Sequence, residues 1–481
     1  MKSLLKIMCT VFLMAPIAAQ AKVSEQDIFS KASIHILRID FTGTHSAYDE
    51  GVQSTATGFW LGGKTKLIVT NAHVASPGNP GTYYATDTQG RKFKLKLVYS
   101  NPLVDLAYMK PEDDMIQQPT STYEYNTQVQ ENARVFMTGN NGGQGILQQT
   151  GAISDVYSIG LAQYPLHTLV MSLNSKGGAS GSPVLDENGK MIGINYAASK
   201  VSALSVPVSY MIEDLQYLLK GEIPPKFDVG ITLSPMSISD ARRYYDFPNQ
   251  DVVAYNKRFP GAKSRMLKVG VMIAGSGATK HFQPGDFVTH VNGQEIGPDL
   301  FSYMRLLNQS GGKRIEIRVV RLGKIIDLKM TPYDLNAFQC REIMVVGESI
   351  LTQVDQRTAL RTSLPLGSVG SFSNPAGSVL PADYFSFNGS KERIVGLVKI
   401  LDHPIKTLDD VEHILPALIA KGTFHFQYIN HGLFSLSGRP AMNASISTSY
   451  ADYERDLYQP PMRIKWDFAT SSWSKRVIAE K

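Results

Sequence analysis

Short apolar runs and regularly placed turns predict a mainly β chain: an antiparallel sandwich or barrel region first, then two smaller α+β units. Three observations carry this. Up to about residue 210 the apolar residues come in brief runs. Examples are Gly58-Phe59-Trp60-Leu61, Leu67-Ile68-Val69-Thr70, residues 93–98 and Met191-Ile192-Gly193-Ile194. Turn formers separate them at Gly62-Gly63, Pro77-Gly78-Asn79-Pro80 and Asn188-Gly189. Many short strands at this spacing indicate antiparallel pairing. Strand–helix alternation, the mark of a parallel sheet, is missing from this region. Finally, 481 residues at about 150 per domain allow three units.

The first 21 residues have the form of an export signal. Lys2 and Lys6 make a basic start, residues 7–18 are apolar, and Ala19-Gln20-Ala21 supplies a small-x-small cleavage pattern. The apolar run is shorter than the ~20 residues of a membrane-spanning helix. Cleavage after Ala21 leaves 460 residues and a net charge of +4. That charge is mild, and no block of basic residues stands out, so nucleic acid is not an expected partner. Of two cysteines, Cys9 departs with the signal, and Cys340 then has no intrachain partner and is read as a buried small hydrophobe.

Ser24 and Asp27 are placed to cap a short helix over 25–31. A β-branched strand follows at 34–39, and the β-rich text runs on until a helix over 210–220 closes the first unit, 22–222. Pro224-Pro225 marks a boundary. The second unit, 226–335, shows strands at 270–273, 286–291, 314–321 and 324–330, with one helix at 300–308. The third, 340–435, shows strands at 394–400 and 423–429 and a helix at 408–420. Residues 436–481 are polar and aromatic, hold two of the three tryptophans, and form a tail with no assigned role.

Three patterns in the first unit carry chemistry. Leu67-Ile68-Val69-Thr70-Asn71-Ala72-His73-Val74 delivers a histidine where a strand ends. Val104-Asp105-Leu106-Ala107-Tyr108-Met109 sets an aspartate before a mostly apolar strand. Gly177-Gly178-Ala179-Ser180-Gly181-Ser182-Pro183-Val184 sets a serine among glycines before a strand. A serine hydroxyl is a poor nucleophile until an imidazole takes its proton. The imidazole needs a carboxylate on its other nitrogen. The developing oxyanion needs backbone N–H donors, each worth about 10²–10³ in rate. The N–H groups of Gly178 and Ser180 are the candidates. Each pattern alone has an ordinary explanation as a turn, cap or loop. Together, in the order His…Asp…Ser, they follow the chain order of the two-barrel serine proteases. The Gly-x-Ser-x-Gly elbow of α/β-hydrolases is absent, since Ser182 replaces its second glycine. No His-Glu-x-x-His or paired Cys-x-x-Cys points to a metal.

These residues resemble the HtrA/Deg family of trypsin-like proteases. Thr70-Asn71-Ala72-His73-Val74, Asp105-Leu106-Ala107 and Gly178-Ala179-Ser180-Gly181-Ser182-Pro183-Val184 match its three motifs. Ile192-Gly193-Ile194-Asn195 and Ser205-Val206-Pro207-Val208 fit its flanks, and the likeness covers about 25–335. It implies a mainly β fold: a two-barrel chymotrypsin-like protease domain followed by two PDZ-like α+β modules. It also implies a catalytic His73–Asp105–Ser180 triad, hydrolysis of unfolded or misfolded proteins, no cofactor, and trimers or larger assemblies. Tyr196, Ala197 and Ala198 would border the specificity pocket. In the second unit, Gly270-Val271-Met272-Ile273 resembles a peptide-binding edge, and Met266, Leu267, Lys268, Val269 and Gly270 are the expected carboxylate loop for a peptide C-terminus. Asp402-His403-Pro404-Ile405 and Leu408-Asp409-Asp410-Val411 resemble a diverged second PDZ module.

The chain departs from the family at Ala179, where asparagine is usual, at Ser182, where a second glycine is usual, and at Ser175-Lys176-Gly177. None of these supplies a catalytic side chain, but they leave the shape of the oxyanion loop open. The expected product of the gene is thus an exported serine endopeptidase, periplasmic or secreted. The competing readings are a holdase chaperone or PDZ scaffold with an idle site, and a β-rich binding protein with a coincidental triad.

Overall fold

The computed structural model describes residues 23–43, 45, 47, 53–143, 145–161, 164–199, 201–249, 251–372, 378–380, 384–387, 390–430, 445–453 and 458–478. The export signal read at 1–21 lies outside them.

Helix α1 (Glu25–Ser33) opens the fold, and the Ser24 hydroxyl accepts the Asp27 N–H at its start. Six antiparallel strands then close a barrel: β1 (Ile36–Gly43), β2 (Gln53–Trp60), β3 (Ile68–Thr70), β4 (Gly81–Asp87), β5 (Lys92–Ser100) and β6 (Ala107–Pro111), in the order β1-β2-β3-β6-β5-β4. Strand β5 shows why. Phe93, Leu95, Leu97 and Tyr99 alternate with Lys92, Lys94, Lys96 and Val98, so one face enters the core and the other meets solvent. A second closed barrel holds β7 (Arg134–Asn140), β8 (Ile146–Ile159), β9 (His167–Met171), β10 (Pro183–Asp186), β11 (Met191–Ala198) and β12 (Ala203–Pro207), in the order β10-β11-β12-β9-β8-β7. Helix α2 (Val208–Leu218) follows directly. The expected two-barrel architecture is present.

The second unit begins with β13 (Phe227–Asp228) and β14 (Ile231–Ser237). Two helices that the sequence pattern did not suggest come next, α3 (Ile238–Tyr245) and α4 (Val252–Arg258). Then come β15 (Arg265–Met272), β16 (Phe287–Val291), β17 (Gln294–Glu295), α5 (Leu300–Gln309), β18 (Ile315–Arg321), β19 (Lys324–Met330) and β20 (Tyr333–Asp334). The main sheet runs β14-β15-β16-β18-β19. One apolar cluster links both barrels, α2 and this unit, joining Val208, Tyr210 and Leu215 to Leu300, Tyr303 and Leu307.

The third unit holds β21 (Glu342–Val346), β22 (Ser349–Gln353), α6 (Gln356–Thr362), β23 (Val369–Phe372), β24 (Tyr384–Phe387), β25 (Ser390–Ile400), β26 (His403–Pro404), α7 (Leu408–Lys421) and β27 (Thr423–Asn430). The segment read as a tail contributes β28 (Ser445–Asp452), β29 (Met462–Asp467) and β30 (Ser472–Val477). These strands belong to the third unit's sheet, whose path is β28-β27-β25-β23-β22-β21-β29-β30. The sheet therefore crosses the boundary drawn at 435. Cys340 is buried, its Sγ 2.9 Å from the Thr352 hydroxyl.

Candidate active site

Strand pairing brings the histidine and the aspartate together. In the antiparallel register of β3 and β6, Thr70 sits opposite Ala107. His73 is three residues past the end of β3, and Asp105 is two residues before β6, so both leave the barrel at the same rim. A turn at 71–74 fixes the exit: the Val74 and Ala75 N–H groups both donate to the Asn71 carbonyl at 3.1 Å. The Asn71 side chain donates to the Asp105 carbonyl at 2.7 Å. His73 Nδ1 lies 2.7 Å from Asp105 Oδ2, and the His73 backbone N–H donates to Oδ1 at 2.9 Å. The carboxylate thus grips both the ring and the main chain of one residue.

Burial differs across this pair. The Asp105 side chain is 1% exposed and that of His73 is 28% exposed. Burial pushes the Asp105 pKa upward. The charge and hydrogen bond of His73, the guanidinium of Arg357 and the His73 N–H outweigh it and hold the carboxyl below its ordinary range. A buried network supports the loop from behind. Asn101 Oδ1 accepts the N–H groups of Leu103 and Val104 at 3.0 Å, and its Nδ2 donates to Asp214 Oδ2 at 2.8 Å. Asp214 Oδ1 lies 2.7 Å from Lys226 Nζ, both side chains being almost wholly buried.

Ser180 lies on the turn between β9 and β10, partly exposed. One residue on β2 ties that turn to the first barrel. The Thr57 N–H donates to the Ser180 carbonyl at 2.8 Å, and the Thr57 hydroxyl donates to the Gly178 carbonyl at 2.8 Å. The same hydroxyl accepts the Asn140 N–H at 2.8 Å, and the Thr57 carbonyl accepts the Thr70 hydroxyl at 2.8 Å. Thr57 therefore joins β3, which leads to His73, to the serine turn and to β7. No local pattern in the sequence marked it.

The loop expected to hold the oxyanion has a defined shape. The Gly177 carbonyl accepts the Gly142 N–H at 2.8 Å, so the Gly177–Gly178 peptide points its own N–H the other way. Gly178 has φ +93°, which glycine adopts without strain. Asn141 Oδ1 accepts the Lys176 N–H at 2.7 Å, and Asn141 Nδ2 donates to the Asn174 carbonyl at 2.8 Å. Asn195 Nδ2 donates to the Ser175 hydroxyl at 3.0 Å and to the Ala179 carbonyl at 3.1 Å. Among the described residues, the Gly178 and Ser180 N–H groups meet no acceptor. The departures at Ala179 and Ser182 are accommodated too. Ala179 is wholly buried, and the Ser182 hydroxyl fills the space where a Cβ on Gly139 would stand.

The other candidate residues fall differently. Tyr196 is buried, its hydroxyl 2.9 Å from Thr168 Oγ1 and its ring edge-on to Tyr164. Burial pushes its pKa up to about 12. Ala197 is half-buried and Ala198 exposed. The carboxylate loop expected at Met266, Leu267, Lys268, Val269 and Gly270 is not a loop. These residues form the interior strand β15, paired with β14 on one side and β16 on the other. The pairing with β16 is limited to Leu267 and Lys268. A convergence of N–H groups lies instead at the β13–β14 turn, where those of Val229, Gly230 and Ile231 surround the buried carboxyl of Asp228.

Residues 56–194, which hold all three motif residues, match the model of the trypsin-like peptidase domain. "Protease Do-like 7" of Arabidopsis thaliana is 23% identical over 402 residues, 79% of this chain and 35% of its own length. "Pro-apoptotic serine protease NMA111" of Debaryomyces hansenii is 22% identical over 356 residues, 72% of this chain and 36% of its own. The chain thus spans about a third of the length of these curated relatives. Among solved structures, the "HtrA-type protease AlgW with tripeptide" aligns over 65% of this chain and 97% of its own, at 20% identity and a TM-score of 0.48. The chain therefore carries a trypsin-like peptidase domain and is similar, over most of its length, to HtrA-family proteases.

Proposed function

We propose that the chain is an exported serine endopeptidase that cleaves unfolded or misfolded polypeptides. The observation that carries the reading is the double grip of Asp105 on His73, at 2.7 Å to the ring and 2.9 Å to the main chain. It fixes the imidazole with Nε2 outward, the orientation a general base requires. In the proposed reaction Ser180 Oγ attacks the scissile carbonyl carbon while His73 Nε2 takes its proton. Asp105 stabilises the imidazolium. The N–H groups of Gly178 and Ser180 hold the oxyanion, and His73 returns the proton to the leaving amine. Water then hydrolyses the acyl-enzyme by the same route in reverse.

The export pattern of residues 1–21 supports a periplasmic or secreted location. Among the described residues no helix is long and apolar enough to cross a membrane. Capture of polypeptide segments by the second and third units, and assembly into trimers or larger oligomers, belong to the same proposal. Capture at the second unit is assigned to β14, the end strand of its sheet.

The test compares casein cleavage and fluorophosphonate labelling of the wild type and Ser180→Ala. Cleavage and labelling in the wild type, both lost in the variant, are the expected result. A folded wild type that takes no label would overturn the reading and favour a holdase.

A further inference from the structure

The loop that carries Asp105 is closed on itself by one residue. Asn101 stands at its start and is 2% exposed. The Asn101 N–H donates to the Leu106 carbonyl at 2.9 Å, across the mouth of the loop. Its Oδ1 accepts the N–H groups of Leu103 and Val104 at 3.0 Å, a turn that an Asn-Pro pair favours. The Leu106 N–H donates to the Val104 carbonyl at 2.7 Å, so Asp105 is the middle residue of a three-residue turn. The other end of the Asn101 amide, Nδ2, donates to Asp214 Oδ2 on α2 at 2.8 Å, and the same oxygen accepts the Tyr108 hydroxyl at 3.0 Å. Asp214 is wholly buried, and a buried carboxylate needs a cation. Among the described residues that cation is Lys226, whose Nζ lies 2.7 Å from Asp214 Oδ1. Lys226 comes from outside the first unit, just past the boundary at Pro224-Pro225. Its carbonyl accepts the Leu335 N–H at 2.8 Å, and the Asn336 side chain donates to the Pro224 carbonyl at 3.0 Å. Beside them β13 pairs with β20. The entry and the exit of the second unit are thus fastened together where Lys226 enters the first.

We propose that Asn101 is the positioning residue of Asp105, and that Lys226 holds Asn101 in place through Asp214. Direct contacts make up the whole path. It runs 2.7 Å from Lys226 to Asp214, 2.8 Å from Asp214 to Asn101 and 3.0 Å from Asn101 to the Val104 N–H, and one peptide bond then leads to Asp105. With Lys226 withdrawn, the buried Asp214 carboxylate has to take up a proton or water, and its hold on Asn101 slackens. The loop then loses its anchor, and Asp105 shifts relative to His73. Alignment of this kind acts in the transition state, where a misplacement of about 1 Å costs about 10²-fold in rate. The proposal makes the seating of the second unit's entry segment a condition for a competent triad.

This inference rests on the peptidase reading, and its test uses the full-length chain. Lys226→Met removes the charge and keeps the stem. It should lower kcat about fivefold or more, with KM within about twofold. Lys226→Arg, which keeps the charge, should stay within about twofold of the wild type in kcat. Asn101→Ser has a hydroxyl that can cap the loop but is too short to reach Asp214, and it leaves the Asp214–Lys226 pair intact. It should lower kcat by a factor similar to that of Lys226→Met. The two losses should not multiply: the double variant should stay within about twofold of the slower single one, because both act on one path. A second measurement needs no turnover. In Ser180→Ala protein the proton NMR signal of the His73 Nδ1–H, identified by its loss in His73→Gln, should broaden or move upfield in both single variants. Folded variants with an unchanged kcat and only a lower melting temperature overturn the proposal, and so does a double variant whose losses multiply. If Lys226→Met does not fold, Asn101→Ser decides by the same kcat and NMR readings. Failure of both to fold overturns the proposal, since the network would then be structural. Absence of fluorophosphonate labelling in the wild type would sink the peptidase reading, while the NMR comparison would still report the placement of Asp105.

Discussion

Thr57 shows what a single residue does at this site. Its hydroxyl bridges the Asn140 N–H and the Gly178 carbonyl, and its main chain holds the Ser180 carbonyl and the Thr70 hydroxyl. Valine has nearly the same shape but cannot make the two side-chain hydrogen bonds. Thr57→Val would leave a buried donor and a buried acceptor unpaired, at a cost of about 1–3 kcal/mol. It would also release one side of the peptide that orients Gly178. We expect kcat to fall by about tenfold or more with KM little changed, because the lost alignment matters in the transition state. Steady-state kinetics on a peptide substrate, with a thermal melt alongside, check this, and an unchanged kcat at a lowered melting temperature would refute the catalytic part. Thr57 was illegible in the sequence for a physical reason. His73, Asp105 and Ser180 each stand at a strand end or a glycine turn with a local pattern, whereas a buried hydrogen-bond hub is defined only by partners 13 to 123 residues away.

At the scale of elements, charge pairing clamps α7 to the sheet of the third unit. Arg463 on β29 reaches Glu342 on β21 at 2.8 Å, and Asp409 and Glu412 on α7 at 2.6 Å. Arg476 on β30 meets Glu412 at 2.8 Å. The hydrogen bonds of Arg476, then of Arg463, hold the Glu412 carboxyl down to about 2, against 4.5 in the unfolded chain. A depressed carboxyl stabilises the fold above its unfolded pKa and loses that effect as pH falls towards its folded one. Glu412→Gln should therefore lower the melting temperature at pH 7, with the difference shrinking between about pH 4.5 and pH 2. Melting curves over that range test it, and a difference that persists unchanged at pH 2 would show that the pairing is not its source. Elements were partly legible. The α5 and α7 patterns gave their helices within a residue or two. Residues 266–270, expected as a loop, are part of strand β15, because the apolar alternation of Met266, Leu267 and Val269 continues through them.

For the whole molecule, the stretch without an assigned role turns out to hold parts together. Strand β28 pairs with β27 over eight residues, and β29 covers the edge of β21. Trp466 on β29 is buried in the core of the first barrel, and Trp473 on β30 stacks near Tyr83 and donates its indole N–H to the Pro77 carbonyl at 3.2 Å. The sequence could not show this, since a polar and aromatic stretch has no period of its own until its partners, hundreds of residues earlier, are in place. A chain ending at residue 435 would lose all of these contacts. It would expose the edges of β27 and β21, each an invitation to edge-to-edge association. It would also leave a cavity where Trp466 stood, a loss of about 3–5 kcal/mol for a buried tryptophan. The shortened protein should therefore aggregate, or melt at least about 5 °C below the full chain. Because the same tryptophans brace the barrel that carries His73 and Asp105, fluorophosphonate labelling of Ser180 should fall with it. Size-exclusion chromatography, a thermal scan and labelling of the 22–435 chain test the three parts together, and a monodisperse product that melts and labels like the full chain would refute the prediction.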